Sequence, residues 1–279
     1  MAKAAAVLDY RALARRRLPP FLFEYLDGGS YAEVTLKRNV EILGQLALRQ
    51  RVLADVSSID LATTLFGQSQ SLPVVLAPIG LAGMNARRGE VQAVRAANRA
   101  GVPFCLSTVG VCPLAEVAAS SSAPFWFQLY MIRDRGLVVS LLDEARALGC
   151  SALVFIVDMP VPGSRYRDYR SGLAGAPGLR GAARRAGQAL RHPHRAFDVG
   201  LQGRPHHLGN VAPALGSKTG LEDFLGWMRG NFASSITWAN LAFTRQHWHG
   251  PLIIKGILVR PDLDHGDRSI DAGRLTGSA

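Results

Sequence analysis

Polar side chains able to hold or polarise a small ligand recur at one kind of place in this sequence, the C-terminal end of a short apolar run. Ser107-Thr108 follow Val102–Leu106, Gln128 and Tyr130 close Phe125–Leu129, Asp158 follows Ala152–Val157, and Lys255 lies near the end of Pro251–Gly256. Taken singly, each is more often a satisfied structural residue than a functional one. Together they supply alcohol, amide, phenol, carboxylate and ammonium groups. In a parallel barrel such strand ends converge on one mouth, where active sites are built. Arg165 and Tyr166, just past the fourth of these runs, add a candidate clamp for a carboxylate, which a guanidinium grips with two parallel hydrogen bonds. Residue types and spacing name no reaction.

The elements that must position these groups alternate. Pro73–Ala77 reads as a first strand and Arg87–Ala100 as a helix with Gly101 at its C′ position. Val102–Leu106 is a second strand, and Pro113–Ala119 a short helix that starts with proline. Phe125–Leu129 is a third strand, Asp134–Leu148 a helix closed by Gly149, and Ala152–Val157 a fourth strand. Pro251–Gly256 is a fifth. Strand–helix units of this length predict an α/β fold with a parallel sheet and right-handed crossovers. Ahead of them, Asp9–Arg17 and Pro20–Tyr25 predict two short helices. Glu33–Arg49 predicts a third, with Val34, Leu36, Val40, Leu43 and Leu46 as core positions. The stretch 160–217, rich in Gly, Pro, Arg and His, shows no strand pattern. A loop that long is expected to be a lid or a membrane-contacting excursion, since within 173–213 Arg180, Arg184, Arg185, Arg191 and Arg195 are interleaved with Leu179, Leu190 and Phe197. Helices are predicted from Thr219, at capping-box spacing, to about Met228, and from Thr237 to Trp248.

Composition narrows the classes. A 279-residue chain with 48% hydrophobic residues has enough apolar material for a large globular domain. A formal net charge of +11, carried mainly by arginine, favours anionic substrates, phosphate groups or anionic lipid. Nucleic acid is disfavoured, since neither zinc-finger spacing nor an RNA-binding signature is present. Cys105, Cys112 and Cys150 have no CxxC spacing and are odd in number, so a reduced, cytosolic setting is expected and no metal site. No apolar run is long enough to span a bilayer.

Several stretches then carry a resemblance. They are Phe23-Glu-Tyr-Leu-Asp-Gly-Gly29, Leu76-Ala-Pro-Ile-Gly-Leu-Ala-Gly83, Leu106-Ser-Thr-Val109, Trp126-Phe-Gln-Leu-Tyr130, Val157-Asp-Met-Pro-Val-Pro-Gly-Ser-Arg-Tyr-Arg-Asp168 and Ile253-Ile-Lys-Gly-Ile257. In this order they resemble the signatures of the FMN-dependent α-hydroxy-acid dehydrogenases, from about residue 8 to 258. Asp198-Val-Gly-Leu-Gln-Gly-Arg-Pro205, Thr219-Gly-Leu-Glu-Asp-Phe224 and Gly226-Trp are similar to the membrane-associated bacterial respiratory L-lactate dehydrogenases within that family. The resemblance implies a (β/α)8 TIM-barrel fold, FMN as cofactor, and oxidation of L-lactate or another 2-hydroxy acid, such as glycolate or mandelate, to the 2-oxo acid. It further implies a quinone or cytochrome acceptor, a homo-oligomer, and a cytoplasmic location peripheral to the inner face of the cell membrane.

Position by position, Tyr25 and Arg165 match groups that hold the substrate carboxylate, and Tyr130 matches the tyrosine facing the hydroxyl-bearing carbon. Ala77 and Pro78-Ile79-Gly80 match backbone that lies against the flavin. Ser107 and Gln128 match its hydrogen-bonding side chains, and Lys255 the cation beside its pyrimidine end. Two departures are single residues: Ile156 stands where the family has a threonine that helps hold FMN, so one cofactor contact is lost, worth about 0.5–1.5 kcal/mol, and Gly110 stands where close relatives have serine, with minor effect. The third is larger. The family places its catalytic histidine and a second carboxylate-gripping arginine in Asn-His-Gly-Gly-Arg on the strand after the lysine, and at family spacing that histidine would fall near Ala279. Residues 259–279 do not resemble the family, so about five of eight strands are expected, without the histidine. The chain is therefore also readable as an inactive truncated or frame-shifted product. Asp264-His-Gly-Asp-Arg268 imitates the motif, but lies too close to Lys255 for a strand and helix to intervene.

Overall fold

The computed structural model describes residues 4–159, 163–174, 178–215, 226–228 and 230–258. The chain divides into two compact units, 1–60 with 163–204 and 61–162 with 205–279.

In the second unit, β1 (Thr63–Leu65) and β2 (Gln68–Gln70) form an antiparallel hairpin. A parallel sheet follows in the order β3 (Cys105–Ser107), β4 (Trp126–Leu129), β5 (Ala152–Ile156) and β6 (Leu252–Lys255). Every residue of β3, β4 and β5 is buried, as strands covered on both faces require. The run predicted as a first strand, Pro73–Ala77, contributes a single parallel bridge, Leu76 to Phe104. Sheet and bridge together occupy the five successive strand positions of an incomplete α/β barrel.

The connecting helices explain themselves by capping and periodicity. Gly89–Ala100 buries Glu90, Val91, Val94 and Ala97 on one stripe and stops at Gly101, which takes the left-handed conformation at φ 63°. Arg135–Ala147 is N-capped by Asp134, whose carboxylate accepts from the Leu137 amide at 3.1 Å, and buries Val138, Leu141, Leu142 and Ala145. Leu114–Ser120 and Trp238–His247 complete the set.

Strand register sorts the side chains. Cys105, Trp126 and Ala152 are paired neighbours, and two residues on Ser107, Gln128 and Val154 are paired again. Because side chains alternate, all of these share one face, together with Ile156 and its partner Lys255. The N-terminal half of that face is apolar. Cys105, Trp126, Ala152 and Val154 pack with Leu65, Val75 and Ile253, and the Phe66 ring meets Trp126 edge-on at 5.7 Å. Phe66 and Gly67, both at positive φ, form the two-residue hairpin turn that brings this plug in. Only the C-terminal half of the face is left for polar chemistry.

The second-unit helices are α4 (Ala82–Asn85), α5 (Gly89–Ala100), α6 (Leu114–Ser120), α7 (Arg135–Ala147) and α10 (Trp238–His247); in the first unit, α1 (Val7–Arg17), α2 (Pro20–Asp27) and α3 (Val34–Gly44) are joined by α8 (Tyr166–Ser171) and α9 (Leu179–Leu190). The stretch expected to be a structureless loop is thus partly helical, and it is tied to the N-terminal helices. Arg167 ion-pairs with Glu24, with Asp27 at 2.9 Å and with Glu33 at 3.4 Å, and Gln188 accepts from the Phe21 amide at 3.0 Å. Sequence reading missed this because arginine, not an apolar stripe, makes the attachment. The third helix also corrects its prediction. It ends at Gly44 rather than Arg49, and Val34, Leu36, Val40, Leu43 and Leu46, expected in the core, are exposed. Amphipathic spacing shows that a face is apolar, not that something covers it. The helix predicted from Thr219 lies mostly outside the described residues; 226–228 is helical.

Candidate active site

The polar half of the sheet face is organised from β3 outward. The Ser107 hydroxyl donates to Gln128 Oε1 at 2.8 Å, and both residues are buried. That bond orients the amide, yet Gln128 Nε2 has no hydrogen-bond partner. A buried N–H left unpaired costs about 1–3 kcal/mol, so this donor points to an acceptor that belongs with the protein. Thr108 is fully buried and ties the two strand ends together: its hydroxyl donates to the Gln128 carbonyl at 2.5 Å and accepts from the Tyr130 amide at 3.2 Å.

Alongside, Leu76–Leu81 runs parallel to 104–109. Cys105 N donates to Leu76 O and Leu81 N to Val109 O, each at 3.0 Å. Between those anchors Ala77 and Ile79 are exposed and Pro78 and Gly80 partly so, an uncovered apolar ledge. Across the sheet Lys255 is half-exposed, its ammonium 3.6 Å from the Asp158 carboxylate. Ile156, its register partner, is buried and contributes no polar atom.

Tyr130 stacks on Phe232, ring centroids 4.8 Å apart at 25°. Phe232 is fixed in turn: Arg133 N donates to Asn231 O at 2.8 Å and Ala233 N to Met131 O at 2.9 Å. Asn210 is a second residue that sequence reading did not single out. Buried, it donates to the Ser107 carbonyl at 3.0 Å and accepts from the Leu114 amide at 2.7 Å, holding the turn after β3. Neither Phe232 nor Asn210 sits at a strand end, which was the signal used.

Tyr25 and Arg165 meet in the first unit, the guanidinium carbon 5.0 Å from the ring centroid. Arg165 also donates to the carbonyls of Tyr25 and of Gly28, the latter at 2.7 Å. Its Nε lies 3.1 Å from the Asp168 carboxylate, though not aligned as a hydrogen bond. Burial raises the Tyr25 phenol above its ordinary range, while Arg165 opposes that shift. Burial likewise raises the Asp168 carboxyl. The carbonyl contacts hold Arg165 in one orientation. Tyr130, Ser107, Gln128, Ile156, Lys255 and Ala77–Gly80 all belong to the second unit; His265 and Arg268 lie outside the described residues.

Residues 14–271 match the family described as FMN-dependent dehydrogenase. The chain belongs to the FMN-dependent dehydrogenase family. It is 55% identical to an L-lactate dehydrogenase of Acinetobacter baumannii, over 94% of this chain and 72% of that protein. Its fold is similar to that of a monotopic membrane protein, (S)-mandelate dehydrogenase, with TM-score 0.84, 31% identity, and 94% and 69% of the two chains covered. A mandelate oxidase with (S)-4-hydroxymandelic acid gives TM-score 0.77 at 29% identity over 97% of this chain and 68% of the other. The family cofactor, FMN, suits what the sheet face offers. A buried unpaired amide donor, a half-exposed ammonium and an apolar ledge match a flat heteroaromatic ring with carbonyl acceptors along one edge. Among the described residues no helix is long and apolar enough to cross a membrane.

Proposed function

We propose that this chain is an L-lactate dehydrogenase of the family, oxidising L-lactate to pyruvate and passing electrons to a quinone or cytochrome of the respiratory chain. The observation that carries the reading is the unpaired Gln128 donor, oriented by Ser107 on the sheet face that also bears Lys255. The identity to the Acinetobacter enzyme selects lactate over mandelate. FMN, when bound, would supply the two-electron acceptor for the oxidation. Ser107 and Gln128 would hold its polar edge, Lys255 would offset negative charge there, and Ala77–Gly80 would lie against its ring. By the resemblance, carboxylate recognition is assigned to Tyr25 and Arg165 of the first unit, and the role facing the hydroxyl-bearing carbon to Tyr130, which Phe232 braces within the second.

The reaction also needs a base for the hydroxyl proton. Among the described residues no histidine stands at the C-terminal end of a sheet strand. General acid–base catalysis contributes about 10²–10⁴-fold, so the rate this chain reaches depends on which group serves as that base. A second reading rests on the extent of the family match, which runs to residue 271 and so takes in Asp264-His-Gly-Asp-Arg268: His265 is then the base. Dye reduction by L-lactate separates the two. Turnover of L-lactate with FMN that His265→Ala leaves unchanged supports the first with a base elsewhere, and negligible turnover with FMN bound overturns the proposed activity. Turnover abolished by His265→Ala supports the second. Preference for an aromatic 2-hydroxy acid in either protein would overturn the lactate assignment.

A peripheral membrane contact through 163–204 completes the proposal. At 100° per residue, Leu179, Ala182, Ala183, Ala186 and Leu190 fall within an arc of about 100° on α9. All five are exposed, Leu179 at 90% and Leu190 at 76%. Arg180, Arg184 and Arg191 flank this stripe, and Phe197 and Leu201 are exposed just beyond it. An apolar face edged by arginine suits a helix lying in an anionic membrane interface.

A further inference from the structure

The first unit contains a cavity of about 870 Å³ between α2, α8 and α9. Charged side chains dominate its lining: Arg167, Arg170, Arg184 and Arg191 against Glu24 and Glu33, an excess of two positive charges. Both glutamates are ion-paired with Arg167. Arg184 donates to the Arg170 carbonyl, which fixes one guanidinium at the wall, and Arg170, Arg184 and Arg191 have no carboxylate partner among the described residues. The cavity opens beside the α9 stripe, since Ala183 belongs both to the exposed apolar arc and to the lining.

We propose that this cavity binds the phosphodiester headgroup of an anionic phospholipid, with the acyl chains continuing along Leu179, Ala183 and Leu190. The inference rests on the peripheral-membrane reading above and gives it a chemical partner. Guanidinium groups recognise phosphate oxygens through paired, charge-assisted hydrogen bonds. A free phosphate would satisfy the arginines but leave the neighbouring leucines in water; a phospholipid answers both.

The test uses the full chain with dihexanoyl phosphatidylglycerol below its micelle concentration, dihexanoyl phosphatidylcholine and inorganic phosphate as separate calorimetric titrants. Saturable binding of the phosphatidylglycerol alone is expected. The pair Arg170→Gln and Arg191→Gln should weaken it about 30-fold, at about a fivefold loss for each basic residue. The pair Arg15→Gln and Arg16→Gln, an equal loss of charge on exposed α1, should change it less than twofold. Equal losses in the two pairs would mean diffuse attraction and overturn the proposal, as would inorganic phosphate binding as tightly as the lipid. Flotation with phosphatidylglycerol vesicles keeps the two claims apart. If Leu179→Ser with Leu190→Ser abolishes flotation while the cavity pair alters neither flotation nor titration, the membrane reading stands and the headgroup site falls. If short-chain lipid binds but vesicles do not, the site stands and the membrane reading falls.

Discussion

At the scale of single residues, Gln128 makes two predictions of opposite sign. With no cofactor, Gln128→Leu in a Ser107→Ala background removes a buried unpaired donor without stranding the Ser107 hydroxyl that donates to Gln128 Oε1, so thermal stability of the FMN-free protein should hold or rise relative to Ser107→Ala. FMN binding should weaken about 2- to 12-fold, the equivalent of about 0.5–1.5 kcal/mol for one hydrogen bond. A fall in both would make Gln128 merely structural. Ile156→Thr should behave in the reverse way. It should tighten FMN by a similar factor and cost about 1–2 kcal/mol of stability, because it trades buried apolar atoms for a hydroxyl. The thiols yield a pH prediction. Burial pushes Cys112 and Cys150 up to about 12 from an ordinary 9.0. The folded chain therefore keeps protons that the unfolded chain loses. The resulting stability is complete below pH 9 and declines as pH rises toward 12, by at most about 1.4 kcal/mol per pH unit for each thiol. Urea midpoints at pH 8 and 10.5 measure it; equal midpoints would contradict the burial. Ser107, Gln128 and Lys255 were legible in the sequence because polar residues ending apolar strands are conspicuous. Phe232 and Asn210 were not, since they reach the site from segments whose placement depends on tertiary hydrogen bonds.

At the scale of elements, Arg167 is the fastening between α8 and α2. Hydrogen bonds to Glu24 and Asp27 outweigh the burial that opposes its charge, and hold its pKa above the ordinary arginine value. Arg167→Ala should cost about 1 kcal/mol, allowing for partial exposure, and should speed tryptic cleavage within 179–195. Unchanged cleavage would show that the helices of this stretch are held by something else. Most strands and helices of the sheet were readable from the sequence to within a residue or two, because continuous apolar runs and caps are local signals; the exceptions are Pro73–Ala77, which makes a single bridge, and Val102–Leu106, whose strand starts only at Cys105. The β1–β2 hairpin was not. Its turn, Phe66-Gly67, lacks the usual Asn-Gly or Asp-Gly, and the left-handed Phe66 is stabilised by packing on Trp126. α8 and α9 escaped notice for a related reason: glycine and arginine mask a helix that tertiary ion pairs support.

At the scale of the molecule, the strand order places β6 beside β5 alone among the described residues, and Val34, Val40, Leu43, Leu46, Leu48, Val52 and Leu53 are exposed in the first unit. Exposed apolar side chains in this number favour association. Light scattering should therefore show concentration-dependent oligomers at micromolar protein; a monomer with a sharp, reversible thermal transition would count against this. The family and the barrel architecture were legible because motifs in a fixed order span the chain, whereas the division into two units rests on long-range contacts that no local pattern records. The central claim, that Gln128, Ser107 and Lys255 form an FMN site, is tested most directly by titrating the purified chain with FMN and following flavin fluorescence. Saturable 1:1 binding, weakened by Gln128→Leu and by Lys255→Ala, is the predicted result. Absence of saturable binding, or binding that neither substitution alters, would contradict it.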